Sequence, residues 1–125
     1  MPRSSLPTVV IVDADRRVQQ SVAELLRVTG RVEVAGSAGD VRTALELIER
    51  VHPDAVLVDP RLPDHAAGAA LINGVARAWP DVRIILTGFP DRDAPGDPIR
   101  PDAPYVSKDG TPDDFVSAIV DACVP

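Results

Sequence analysis

Three short stretches are apolar at consecutive positions rather than alternate ones: TVVIV (8–12), AVLV (55–58) and VRIIL (82–86). They are too short for helices and rich in β-branched residues, so they read as strands. A strand without alternation is covered on both faces, and that happens in parallel sheets flanked by helices. VEVA (32–35) and YVS (105–107) complete a set of five. RVEVA alternates, which places it nearer an edge.

Between the strands, apolar residues recur at helical spacing. Val18, Val22, Leu25 and Leu26 do so in 16–29, Val41, Leu45 and Ile48 in 40–51, Leu71, Val75 and Ala78 in 66–79. Phe115, Ala118, Ile119 and Ala122 form the same stripe in 112–122. Strand–helix alternation means right-handed βαβ units and a doubly wound α/β parallel sheet. The length of 125 residues suits one such domain, 1–125, and is too short for two. The last helix has a clear start, with Thr111 as N-cap, Pro112 next and Asp113 and Asp114 in the first turn. Ser37 and Asp40 are candidates to cap the second helix.

One segment breaks the rhythm. FPDRDAPGDPIRPDAP (89–104) stands where a helix is due, yet contains Pro90, Pro95, Pro98, Pro101 and Pro104. A proline inside a helix removes a donor and costs ~3 kcal/mol or more. The expectation is a Pro-rich loop with no regular helix beyond about one turn, and any exposed flank covered by extended chain anchored by Phe89 and Ile99.

Composition removes several function classes. A net charge of −6 argues against nucleic-acid binding by this chain. With a single cysteine, Cys123, there is no internal disulfide and no thiolate metal site. No apolar run has the length of a membrane span, and MPRSSLP lacks the hydrophobic region of a secretion signal. The expected location is the cytoplasm.

In an open parallel sheet, ligands bind beyond the carboxyl ends of the strands. There the sequence places Asp13, Asp59, Thr87 and Lys108, after the first, third, fourth and fifth strands respectively. AVLV runs straight into Asp59 and Pro60, so a buried strand stops where it presents a carboxylate. Clustered carboxylates repel unless a cation lies between them. An oxygen-only site suits Mg²⁺, which keeps waters and accepts phosphate oxygens. A lysine and a hydroxyl opposite it hold further phosphoryl oxygens, and a carboxylate is a competent nucleophile for an acyl phosphate.

VIVDADRRVQQSV, DAVLVDPRLPD, WPDVRIILTG and YVSKDGTPDDFVSAI together resemble the response-regulator receiver domain of two-component signalling. The Lys-Asp step with TPDDF is similar to receivers that precede helix-turn-helix transcription domains. The resemblance spans essentially the whole chain and implies a flavodoxin-like (βα)₅ fold. It also implies that Asp59 is the phosphoacceptor, and that Asp13, Asp59 and the backbone carbonyl of Arg61 hold Mg²⁺. Thr87 would be the switch hydroxyl, Lys108 the partner of the phosphoryl group and Tyr105 the aromatic switch residue. The implied partner is a histidine kinase or phosphotransfer protein. A homodimer would use an atypical interface, because the helix before the fifth strand is degraded. Beyond its own phosphoryl transfer and dephosphorylation, no enzyme activity is implied.

The departures from the family pattern are specific. Ala14 stands where a second adjacent acid is usual, so Mg²⁺ is expected to bind weakly. Asp15 is placed to compensate, but it also stands where the first helix needs its N-cap. Gly88 follows Thr87 where alanine is common, and Gly68 lies one residue later than expected after Pro63. Plainer readings accompany each residue: a strand-ending surface carboxylate for Asp59, a turn carboxylate for Asp13, a solvated Lys108, a strand-end Thr87 and a core-edge Tyr105. His52 and His65 read as surface residues, and Trp79 as packing at the end of the third helix. The alternative to a phosphoreceiver is a phosphorylation-independent pseudo-receiver that works by protein interaction. An unrelated phosphate-handling enzyme on this fold ranks last, for lack of a dedicated base.

Overall fold

The structure, a computed structural model, describes residues 6–62, 64–88 and 103–123. The elements run β1 (Thr8–Val12), α1 (Arg16–Thr29), β2 (Glu33–Ala38), α2 (Val41–Val51), β3 (Ala55–Val58), α3 (His65–Ala78), β4 (Arg83–Gly88), β5 (Tyr105–Ser107) and α4 (Pro112–Cys123). The five strands are parallel, in the order β2-β1-β3-β4-β5. This is the flavodoxin-like sheet expected from the apolar runs. The proline-rich segment 89–104 lies outside the described residues except for Ala103 and Pro104, and so do Phe89 and Ile99.

Successive strand residues point to opposite faces, which divides the core in two. Val9, Ile11, Leu57 and Ile85 pack with α1 and α4, through Val22, Leu26, Phe115 and Ile119. Val10, Val12, Val56 and Val58 pack with α2 and α3, through Leu47, Ile48, Leu71 and Ile72. The continuous apolar runs of β1 and β3 are therefore buried throughout, apart from the half-buried Thr8. β2 is an edge strand and keeps its alternation.

Several local expectations shift. β2 runs to Ala38 instead of stopping at Ala35, because a register change between Val9 and Val10 absorbs the extra residue and pairing resumes at Gly36. β4 continues through Thr87 and Gly88 because both pair with β5. Ala78 and Ala118 face solvent; their places in the helix stripes are taken by Ile72, and by Val116, Val120 and Cys123. A short alanine tolerates either environment, so it marks a stripe poorly.

Helix ends are capped by carboxylates. Asp15, Asp40 and Asp64 are the N-caps of α1, α2 and α3, each accepting a backbone N–H of the first turn. Thr111 caps α4, its hydroxyl accepting from the Asp114 N–H at 3.1 Å. His52 ends α2 in the left-handed region, at φ 48°. At the amino end of the sheet, Asp54 Oδ2 accepts from Thr8 N (2.8 Å) and Thr8 Oγ1 (3.2 Å), while Asp54 N–H donates back to Thr8 O (2.9 Å). Cys123 is buried, and burial pushes its thiol pKa up to about 11. Among the described residues, no helix is long and apolar enough to cross a membrane.

Candidate functional site

The polar residues at the carboxyl end are held by the sheet's own ladder. Asp13 N–H donates to Ala38 O (3.0 Å), Asp59 N–H to Val12 O (3.0 Å) and Lys108 N–H to Gly88 O (2.8 Å). Each strand thus continues one bond past its end and fixes the Cα from which the side chain departs. Leu86 pairs with Val58, so the next residues, Asp59 and Thr87, stand level on neighbouring strands. Asp13, Asp59 and Thr87 are 5%, 6% and 5% exposed, and they are the buried polar residues among those described.

Lys108 reaches both acids. Its Nζ lies 2.6 Å from Asp13 Oδ2 and 2.7 Å from Asp59 Oδ2, with the lysine side chain 8% exposed. The second oxygen of each carboxylate is held locally. Asp13 Oδ1 accepts the Asp15 N–H (2.9 Å), and Asp59 Oδ1 accepts the Arg61 N–H (3.0 Å). Both are turns in which a carboxylate bonds the backbone two residues on. They aim the two Oδ2 atoms at one point, where the ammonium relieves their repulsion. The Arg61 guanidinium lies on the other side of Asp59, its Nε 3.9 Å from Oδ1.

Of the predicted site residues, Asp13, Asp59, Lys108 and Arg61 come together. Thr87 is buried beside them within β4. Tyr105 pairs with Leu86 and is 44% exposed, at the edge of the sheet. Asp15 does not join the cluster: its carboxylate accepts from Arg17 N at 2.8 Å as the cap of α1, and Ala14 is exposed.

Two supporting contacts were not foreseen. Gln19 Nε2 donates to the Asp13 carbonyl (2.7 Å), tying α1 to the loop that carries Asp13. Its position four residues after the Asp15 cap was the available signal. Gly68, in the first turn of α3, lies against the loop after Asp59 so closely that a Cβ there would sit 1.7 Å from the Pro60 carbonyl oxygen. A glycine three residues inside an alanine-rich helix start was the clue in the sequence.

Among the described residues no group of three or more His, Cys, Asp or Glu side chains is placed to hold a metal. Two convergent carboxylates still make an oxygen-only donor set, which fits Mg²⁺ in kind. The set is one acid short because of Ala14, and the point of convergence is where the Lys108 ammonium lies.

Comparison with known proteins agrees with this geometry. A family profile described as the response regulator receiver domain matches residues 9–120. The hydrogenase transcriptional regulatory protein HoxA of Bradyrhizobium diazoefficiens is 32% identical over 118 residues, covering 92% of this chain and 24% of HoxA. The DNA-binding transcriptional activator DevR/DosR of Mycobacterium tuberculosis is 34% identical over 103 residues, covering 81% of this chain and 47% of DevR/DosR. The chain thus spans from a quarter to half of the length of these relatives. The signal receiver domain of NarL from Mycobacterium tuberculosis superposes with a TM-score of 0.75 at 30% identity, covering 96% of this chain and 98% of that one. With the strand order, the two buried acids and the bridging lysine, these matches establish that the chain belongs to the response-regulator receiver family.

Proposed function

We propose that Asp59 is the phosphoacceptor of this receiver and that Lys108, Thr87 and Asp13 are its working partners. Phosphoryl acceptance is the general function of the family. The observation that carries the assignment is the buried Asp59 Oδ2 held 2.7 Å from the Lys108 ammonium beside a second acid.

Oδ1 of Asp59 is engaged by the Arg61 backbone N–H, and Oδ2, which faces Lys108, is the attacking oxygen. It forms a bond to the phosphorus of a donor phosphohistidine. The P–N bond breaks, its electron pair leaves with the imidazole, and the imidazole takes up a proton. Lys108 faces the charge that moves onto the phosphoryl oxygens. The Thr87 hydroxyl, level with Asp59, is the donor that turns toward the new group, and Tyr105 follows as the aromatic switch at the sheet edge. Receiver domains generally bind Mg²⁺; here Asp13, Asp59 and the Arg61 carbonyl would hold it, weakly for want of an acid at position 14. When bound, Mg²⁺ supplies positive charge to the phosphoryl oxygens.

The donor is a histidine kinase or phosphotransfer protein, in the cytoplasm, and the chain itself acts as one receiver domain. DNA binding, where relatives have it, is a property of those longer proteins, and the charge of −6 gives this chain no electrostatic grip on nucleic acid. Any homodimer would pair through a surface other than the usual one. A phosphorylation-independent pseudo-receiver is the less favoured reading, because the acceptor–lysine pair is intact.

Acetyl phosphate with Mg²⁺ and intact-mass measurement tests the assignment. The wild type should gain one phosphoryl group, and Asp59→Asn should gain none while keeping its melting curve. Equal uptake by the variant removes Asp59 from the role.

A further inference from the structure

Asp13 is held at every polar atom. Its N–H donates to Ala38 O of β2 (3.0 Å), Oδ1 accepts the Asp15 N–H (2.9 Å), and Oδ2 meets the Lys108 ammonium (2.6 Å). The fourth partner is an uncharged side chain on α1: Gln19 Nε2 donates to the Asp13 carbonyl at 2.7 Å. Gln19 stands one turn into the helix, half-buried, where its own N–H donates to Asp15 O (3.1 Å). The Ala38 and Asp15 bonds are main-chain groups, and Lys108 serves Asp59 as well. The Gln19 amide is therefore the contact to Asp13 that a substitution can remove without changing the charge of the site.

Gly39 makes room for that amide. A Cβ at Gly39 would lie 3.2 Å from Gln19 Nε2 and 3.7 Å from the Asp13 carbonyl oxygen. Gly39 lies outside the left-handed region, so what its missing side chain supplies is space.

The orientation of the Asp13 peptide matters because the carboxylate turn is built on it. Asp13 Oδ1 reaches the N–H two residues on, across the peptides on either side of Ala14. Ala14 is exposed, and its methyl group cannot form a hydrogen bond. Rotation of the first peptide carries the Asp15 N–H off Oδ1. Oδ2 then loses its aim at the ammonium that it shares with Asp59 Oδ2, and the site loses one of its two convergent carboxylates.

We infer that Gln19 is a positioning residue: its amide, seated in the clearance left by Gly39, fixes the Asp13 peptide and so keeps the Asp13 carboxylate aimed at Lys108 beside Asp59 Oδ2. The inference rests on the assignment of Asp59 as acceptor, and its consequence is that phosphoryl uptake depends on an amide that touches neither Asp59 nor the donor.

The test uses wild type, Gln19→Ala, Gly39→Ala and the double variant, each shown to be folded by circular dichroism, with uptake from acetyl phosphate and Mg²⁺ followed by intact mass. Alanine keeps the helix. Gln19→Ala should slow uptake about tenfold, the lower end of the loss when a contact supporting a site carboxylate is removed. Gly39→Ala should slow it about twofold, as for one weakened hydrogen bond. It should add nothing in the Gln19→Ala background, because the amide it would crowd is gone. Gln19→Lys, which retains a donor of similar reach, should recover most of the rate. In amide NMR spectra recorded without phosphodonor, the Asp15 resonance should move in Gln19→Ala while those of Val10 and Leu57 in the core stay in place. Uptake by Gln19→Ala equal to wild type, an unmoved Asp15 resonance, or additive losses in the double variant overturns the inference and leaves Asp59 as acceptor. Uptake that persists in Asp59→Asn, or none in the wild type, overturns the acceptor assignment on which the inference rests.

Discussion

Strand β3 has a carboxylate at each end, Asp54 before Ala55 and Asp59 after Val58, and the two sit in opposite kinds of surroundings. Asp54 is exposed, and its Oδ2 accepts from neutral donors, the backbone N–H and hydroxyl of Thr8. It fastens the start of β1 to the start of β3. Asp59 is buried and shares its oxygens between a backbone N–H, an ammonium and a nearby guanidinium. A carboxylate satisfied by neutral donors is a fastening. One kept out of water beside cations is the kind of group found at reactive sites. The difference between the ends lies in the donors, since the strand between them is the same.

Removing the cation at the carboxyl end should be the costliest way to break this contrast. Lys108→Met leaves two buried carboxylates facing each other, and loss of one partner from a buried ion group costs about 3–5 kcal/mol. Urea unfolding measures it, and added Mg²⁺ should restore part of the loss. A variant as stable as wild type would mean that water reaches the acids freely.

Gly68→Ala attacks the same end through its scaffold. The new Cβ would fall 1.7 Å from the Pro60 carbonyl oxygen, so α3 must back away from the loop between Asp59 and Arg61. Overpacking of this kind costs about 1–3 kcal/mol, and phosphoryl uptake should slow as the loop shifts. At the amino end, Asp54→Ala should cost about 1–2 kcal/mol by orphaning the Thr8 donors and leave uptake unchanged. A drop in uptake would show that the two ends are coupled through β3.

The smallest effect extends the contrast to a second fastening carboxylate. Asp40 accepts from Thr43 N (2.8 Å) and Thr43 Oγ1 (3.1 Å), and the backbone bond, more than the hydroxyl, lowers its pKa below the usual 3.8. A depressed pKa means its contribution is complete above 3.8 and is lost as pH falls through the lower folded value. Asp40→Asn keeps the cap without the charge. Urea unfolding at neutral pH and at about pH 3 should show a smaller acid-induced loss for the variant. An unchanged loss would assign the acid sensitivity elsewhere.

What was legible in the sequence follows from which forces are local. Strand faces and helix stripes are written in residue order, so the parallel sheet, the edge position of β2 and the span of α1 came out of the apolar pattern alone. Asp13, Asp59 and Lys108 were legible because each follows a strand directly, and parallel strands bring all their carboxyl ends to one side. The bridging of both acids by one ammonium was not legible, since it depends on side-chain reach across three strands. The bulge that lengthens β2 is set by pairing with β1, and the closeness of Gly68 to Pro60 by the docking of α3. Ala78 and Ala118 misled because a methyl group gains little from either side of a helix.

The buried Cys123 has a practical consequence. Thiol reagents attack the thiolate, and with a pKa of about 11 only about one thiol in ten thousand is ionised at neutral pH. It is also the sole cysteine of the chain. A cysteine introduced at an exposed position such as Val28 on α1 would therefore take up a fluorophore or spin label alone, with the native thiol left silent. The molecule is ready for single-site distance measurements between the face that carries Asp59 and a bound partner without first removing a side chain from its core.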